Sequence, residues 1–126
     1  MVGLEWRFQV RPPGEIRRTL VPDVAYFSYG RLPLEELEQA PAPAVAPDAV
    51  VETRSPSHRQ EDIDEKVRVY LAAGTNAVFL VDPRDRSVIV VDASGVHDVS
   101  RGPVTHESLP GFSLDPATLF DFPKPR

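Results

Sequence analysis

Fourteen prolines in 126 residues limit what this chain can build. Each removes a backbone N–H and locks φ, so neither a long helix nor an inner strand runs through one. They fall mainly at 12–13, 22, 33, 41–47, 56, 83, 103, 110 and 116–125. That spread reads as punctuation between short elements and not as one disordered tract.

Between these marks the hydrophobic pattern predicts the elements. Residues 4–10, Leu-Glu-Trp-Arg-Phe-Gln-Val, alternate apolar and polar with the period of a half-buried strand, and Arg11-Pro12-Pro13-Gly14 reads as a turn. A second strand opens after Pro22 and covers 23–29; residues 40–47 form a stiff connector of polyproline character. A third strand covers 48–54, β-branched at its centre. A helix follows, with Ser57 as N-cap and Gln60 completing a capping box. Ile63, Val67, Tyr70 and Leu71 give it one buried face, and Gly74 stands where a C-terminal cap is expected. The apolar run 77–81 predicts a strand buried on both faces. Asp82-Pro83-Arg84-Asp85-Arg86 turns the chain into a strand over 87–92, and a short hairpin arm is expected around 95–100. The tail from 109 to 122 reads as loop with one helical turn at 116–120. The order β-β-β-α-β-β predicts an α/β fold in which a mixed sheet is flanked by a helix, with the strand after the helix returning parallel through a right-handed crossover. No Gly-rich phosphate loop and no internal repeat is present.

The length suits a single domain over 1–126 with one core. No apolar run approaches the roughly 18 residues of a membrane span, and the N-terminus lacks the pattern of a secretory signal. The absence of cysteine removes disulfides and thiolate metal sites and suggests a cytoplasmic protein. A net charge of −5 argues against tight non-specific binding to nucleic acid, whose affinity rests on basic residues. It leaves room for a carboxylate cluster whose bound cation restores positive charge where a phosphate must sit.

Glu52 is the acid that most needs explaining, because it stands in Ala-Val-Val-Glu-Thr. It is either a solvent-facing strand position, sharing a face with Asp48 and Val50, or a ligand for a hard cation such as Mg²⁺. Asp48 lies four residues away, roughly 13 Å along a strand at about 3.3 Å per residue, and cannot share an ion with it. Asp23 opens the preceding strand. If the two strands are antiparallel, Asp23 meets the end that carries Glu52; otherwise it is a turn aspartate after proline. Lys66 either pairs with Asp62 on the helix surface or, if the helix folds back over the sheet, reaches the acidic pair. Arg54 shares a face with Glu52 and could play the same part, although an Arg is a poor proton acceptor. His58, His97 and His106 show no metal-ligand spacing and are expected to face solvent, and no serine has a His-Asp pattern beside it.

Several segments together, in order, resemble the Uma2 family of the PD-(D/E)xK nuclease superfamily. They are Pro22–Phe27, Ala46–Glu52 with Ser55-Pro56-Ser57, Asp62 with Glu65-Lys66, Tyr70–Gly74, Phe79–Pro83 and Leu109–Phe112. The resemblance runs from about residue 20 to 120 and implies a restriction-endonuclease-like fold with a metal-dependent phosphodiesterase site. Asp23 and Glu52 match its acidic metal-binding positions, Mg²⁺ or Mn²⁺ the cofactor, and Lys66 matches a lysine moved from strand to helix. Asp48 matches a recurrent aspartate of unassigned role, and Asp48 and Arg54 stand as possible supporting residues. DNA is the partner implied. Thr53 and Arg54 depart from residues that are usually aliphatic, and Phe79 stands where the family often has Trp. The family usually has a helix and further strands before the first motif, so the N-terminal part of its domain is expected to be missing here. A homodimer would cover the sheet face that the missing helix leaves open. The expected activity is Mg²⁺-dependent hydrolysis of DNA phosphodiester bonds. The alternatives are a non-catalytic binding or assembly module on the same fold and a degenerate, truncated copy.

Overall fold

The computed structural model describes residues 2–4, 8–16, 18–20, 22–27, 46–101, 103–106 and 113–114. Its strands are β1 (Val2–Leu4), β2 (Phe8–Val10), β3 (Arg18–Leu20), β4 (Val24–Tyr26) and β5 (Ala49–Thr53). After the helix α1 (Gln60–Ala72) come β6 (Ala77–Asp82), β7 (Ser87–Asp92), β8 (Gly95–Asp98), β9 (Val104–Thr105) and β10 (Ser113–Leu114). The main sheet has six strands in the order β1-β4-β5-β6-β7-β8, while β2 with β3 and β9 with β10 form separate two-stranded pairs.

Within the main sheet three strands, β1, β4 and β5, precede the helix. β4 and β5 are antiparallel, with Val24 opposite Val51. β5 and β6 are parallel, with Glu52 opposite Leu80, and α1 is the connection that a parallel pair needs. β6 then pairs antiparallel with β7, and β7 with β8, which is the expected hairpin arm. The stretch 4–10 does not run as one strand. Leu4 belongs to β1, against β4, whereas Phe8–Val10 belong to β2, against β3. An alternating pattern reports burial of one face but not which partner buries it. The tail contributes β10, paired with β9, where loop was expected; residues 116–120 and most of 40–47 lie outside the described residues.

Both faces of the sheet are covered. On one side Ala25, Val50 and Val78 pack with Phe27, with Val69 and Tyr70 of α1, and with Val10 of the β2–β3 hairpin. On the other, Ala49, Ala77, Phe79, Val81, Val88 and Val90 pack with Val104 of β9. β6 therefore contributes to both clusters, as its uninterrupted apolar run predicts.

The ends of α1 differ in how well they were legible. Arg59 occupies the N-cap position and makes no side-chain cap bond, so Gln60 is the first helical residue and the Ser57–Gln60 capping box does not form. The reason is local: His58 N–H donates to the Ser55 carbonyl, closing a turn around Pro56, and the Ser57 hydroxyl bonds that of Ser55 at 2.9 Å. At the other end Gly74 takes φ +112°, Gly74 N–H donates to Leu71 O and Thr75 N–H donates to Tyr70 O. These are the two bonds of a Schellman motif, in which glycine bears the positive φ without strain.

α1 also holds the β2–β3 hairpin through charge. Arg68 forks onto Glu15 at 2.9 and 2.8 Å and onto Glu65 at 2.9 and 2.7 Å. Arg18 of β3 donates to Glu65 at 2.9 Å.

Candidate active site

The buried side of α1 is centred on Val69 and Tyr70, which turns the helix slightly from the face read off the apolar residues. Lys66 precedes Tyr70 by one turn and so also faces the sheet. Directly below it on β5 stands Glu52. Lys66 Nζ lies 3.0 Å from Glu52 Oε1, and the Tyr70 hydroxyl donates to the same oxygen at 3.0 Å. The Glu52 side chain is 15% exposed and that of Lys66 36%. Of the two partners open to Lys66 in the sequence, the fold supplies the strand carboxylate.

Asp23 arrives from the neighbouring strand. Pairing of Val24 with Val51 sets Asp23 beside Glu52 at the end of the β4–β5 ladder. There Asp23 Oδ2 accepts a 2.6 Å hydrogen bond from Thr53 N–H. An antiparallel register thus brings together two acids that are 29 positions apart in the chain.

Burial pushes the Glu52 carboxyl above its ordinary value; the charge and hydrogen bonds of Lys66 and Tyr70 oppose the shift, and the Asp23 charge adds to it. Burial likewise pushes the Tyr70 hydroxyl up, reinforced by the Glu52 charge, so it remains a proton donor.

A cleft of about 380 Å³ opens here, lined by Glu52, Arg54 and Lys66 among others, while Asp23 stands beside it on the β4 side. Arg54 shares the face of Glu52, as alternation predicts. Its N–H continues the ladder onto Val81 O at 2.7 Å, and its buried Nε has no hydrogen-bond partner among the described residues. Asp48 is not part of this group. It is 6% exposed at the opposite end of β5, where its carbonyl accepts from Asn76 and Ala77.

Two features escaped the sequence reading. Tyr70 was legible only as a core residue, yet its position one turn beyond Lys66 on the buried face marks it as a second donor to the same acid. His106 does not face solvent: its side chain is 13% exposed and Nε2 lies 3.0 Å from Asp92 Oδ2. This pairing depends on β9 folding back against the sheet, which no spacing in the sequence shows.

Asp23 and Glu52 each keep one carboxylate oxygen of the hard donor type that a small cation takes. Among the described residues Asp23 Oδ1 and Glu52 Oε2 carry no hydrogen bond, and no group of three or more His, Cys, Asp or Glu side chains is placed to hold a metal ion. Two carboxylates are what Mg²⁺ commonly takes from a protein, water and substrate phosphate supplying the rest.

Among the described residues a mixed sheet is covered on one face by α1, whose flanking strands β5 and β6 run parallel, and this is a restriction-endonuclease-like arrangement. The family Uma2, described as "Putative restriction endonuclease", matches residues 2–117. The chain belongs to the Uma2 family. A solved structure described as "a putative nuclease belonging to DUF820 from Anabaena variabilis ATCC 29413" is similar, with a TM-score of 0.77 and 27% identity over 94% of this chain. This chain spans 66% of that protein's length. No functionally curated protein matches the sequence.

Proposed function

We propose that this chain is a divalent-cation-dependent endonuclease acting on DNA, with Asp23 and Glu52 as cation ligands and Lys66 as the charge-stabilising residue. The observation that carries the proposal is the meeting of Glu52 and Lys66 at 3.0 Å beside Asp23, three side chains from three separate elements. The Uma2 match and the nuclease-described structural neighbour support it.

A bound Mg²⁺ or Mn²⁺ would activate water and neutralise the scissile phosphate. The protein's own part is placement. Thr53 N–H fixes the Asp23 carboxylate, and Tyr70 fixes that of Glu52. Lys66 supplies a positive charge at the mouth of the cleft, where it can meet the extra negative charge on the phosphate as its ester bond breaks. In that hydrolysis the oxygen of water bonds to phosphorus, one P–O ester bond breaks, and a proton from water ends on the leaving oxygen.

Incubating purified protein with supercoiled plasmid and Mg²⁺ or Mn²⁺ tests the reading. Nicking that disappears in Glu52→Gln and Asp23→Asn, and on chelation, is expected. Equal residual nicking by the wild type and both variants would reject it. Calorimetric titration with Mn²⁺ should give binding that both substitutions weaken.

We further propose that the protein acts as a homodimer in the cytoplasm. The edge strand β8 is exposed along its length, with Val96 69% exposed, and an open edge of this kind favours self-association. Light scattering on the eluting protein would read the dimer directly.

A further inference from the structure

The cleft continues past Glu52 across the helix-facing side of β6 and β7. Its lining there is apolar. Leu80 and Ile89, partners in the β6–β7 register, come from the sheet, and Ile63 and Val67 come from α1. Its charged residues are unevenly balanced: the carboxylates of Glu52, Asp62, Asp82 and Asp85 against the cations of Arg54 and Lys66.

These features constrain the substrate. A duplex carries one phosphate charge per roughly 1.7 Å of axis. Laid across this opening, it would bring its phosphates toward a lining that holds Asp62 and Asp85 as well as Asp82, of which, among the described residues, only Asp82 has an Arg partner, Arg84 at 3.6 Å, and a net charge of −5 offers little compensating field. The apolar section has nothing to hydrogen-bond a phosphate or sugar, and burying either there would cost desolvation without return. A nucleobase is different, because its face suits apolar side chains while its edge can reach polar groups at the rim, such as Gln60 and Ser87. A volume of about 380 Å³ is near the small end of ligand pockets and suits one nucleotide, not a stack. Finally, the buried Arg54 Nε has no acceptor among the described residues, next to where a phosphate must lie to reach Glu52.

We propose that the site takes one unpaired nucleotide at a time, its phosphodiester against Lys66 and Arg54 beside Glu52 and its base in the apolar hollow between α1 and β6–β7. The proposal rests on the phosphodiesterase reading and names its substrate class: single-stranded DNA, or duplex DNA with an unpaired base. A single strand can swing its other phosphates away from the acidic rim, which a stacked duplex cannot do.

The test compares labelled oligo-dT of 20 nucleotides, a blunt duplex of equal length and the same duplex with one bulged nucleotide, with Mn²⁺ present. The single strand and the bulged duplex should be cut at least about ten-fold faster than the blunt duplex, the scale of one base-stacking interaction. Ile63→Glu, on the helix side of the hollow, should reduce that preference, and Arg54→Ala should lower cleavage of all three substrates, with far-UV circular dichroism and melting temperature confirming the fold. Equal rates on all three substrates would overturn the inference while leaving the phosphodiesterase reading intact. So would an unchanged preference in folded Ile63→Glu. If the wild type cuts nothing, the phosphodiesterase reading fails. Fluorescence anisotropy of the same three probes then decides the inference, and binding of oligo-dT no tighter than that of the blunt duplex overturns it.

Discussion

Tyr70→Phe removes one hydroxyl from the interior and keeps the ring that fills it. In the wild type that hydroxyl donates to Glu52 Oε1 at 3.0 Å, and Tyr70 is wholly buried. A hydrogen bond to a charged group contributes about 1.5–3 kcal/mol. Glu52 keeps its ion pair with Lys66, and its side chain retains 15% exposure, so a loss near the low end, about 1.5 kcal/mol, is expected at pH 7. For a chain of this size that corresponds to a fall of about 5 °C in melting temperature. The pH dependence carries the sharper test. The folded-state pKa of Glu52 is raised, so ionising it costs the folded protein stability. Stability is highest below the unfolded-state value and falls as pH rises through the interval up to the raised folded value. Tyr70 opposes the shift, so Tyr70→Phe moves the upper end of that interval higher. The difference between wild type and variant should therefore be greatest near neutrality and shrink toward pH 4. Thermal denaturation followed by circular dichroism across pH 4–8 measures it. A difference that is constant with pH, or that grows on acidification, would refute the assignment of Tyr70 as a donor to ionised Glu52.

Phe79 is wholly buried in the cluster on the face away from α1, and Phe79→Ala should cost about 3–5 kcal/mol by urea denaturation. Gly74→Ala meets no steric obstacle, but φ +112° disfavours any Cβ, so a loss of about 1 kcal/mol is expected in the same assay, without change in the helical signal at saturation. Arg68 and Arg18 hold the Glu65 carboxyl down to about 2. Its contribution is thus complete above the ordinary value of 4.5 and lost as pH falls toward about 2, and Glu65→Gln should flatten that part of the stability curve. Amide exchange in the β2–β3 hairpin should accelerate in the same variant, because Glu65 ties Arg18 of the hairpin to α1.

Much of the frame could be read from local pattern. The apolar run 77–81 could only be a strand covered on both sides, and β6 is one. Proline at 22, 56 and 83 bounds β4, α1 and β6 because it cannot enter their interiors. Gly74 ended the helix for the same kind of local reason. The antiparallel meeting of the strands bearing Asp23 and Glu52 was legible as a possibility, since strand spacing excludes Asp48 and leaves Asp23. Local pattern failed where two local arrangements compete. Ser57 could cap the helix or bond within the Ser55–His58 turn, and the turn around Pro56 won. It failed also where a strand's partner is remote, as in the division of 4–10 between two sheets.

The sequence by itself determined the class of fold, because strand and helix periods and proline stops act over a few residues, and it singled out Glu52, Asp23 and Lys66 as candidates. Only tertiary structure decided the state of the site. The rotation of α1 over β5 sets Lys66 and Tyr70 on Glu52 and buries that carboxylate, and the β4–β5 register places Asp23 beside it. Burial and approach to within 3 Å are properties of packed surfaces, and no spacing along a chain fixes them.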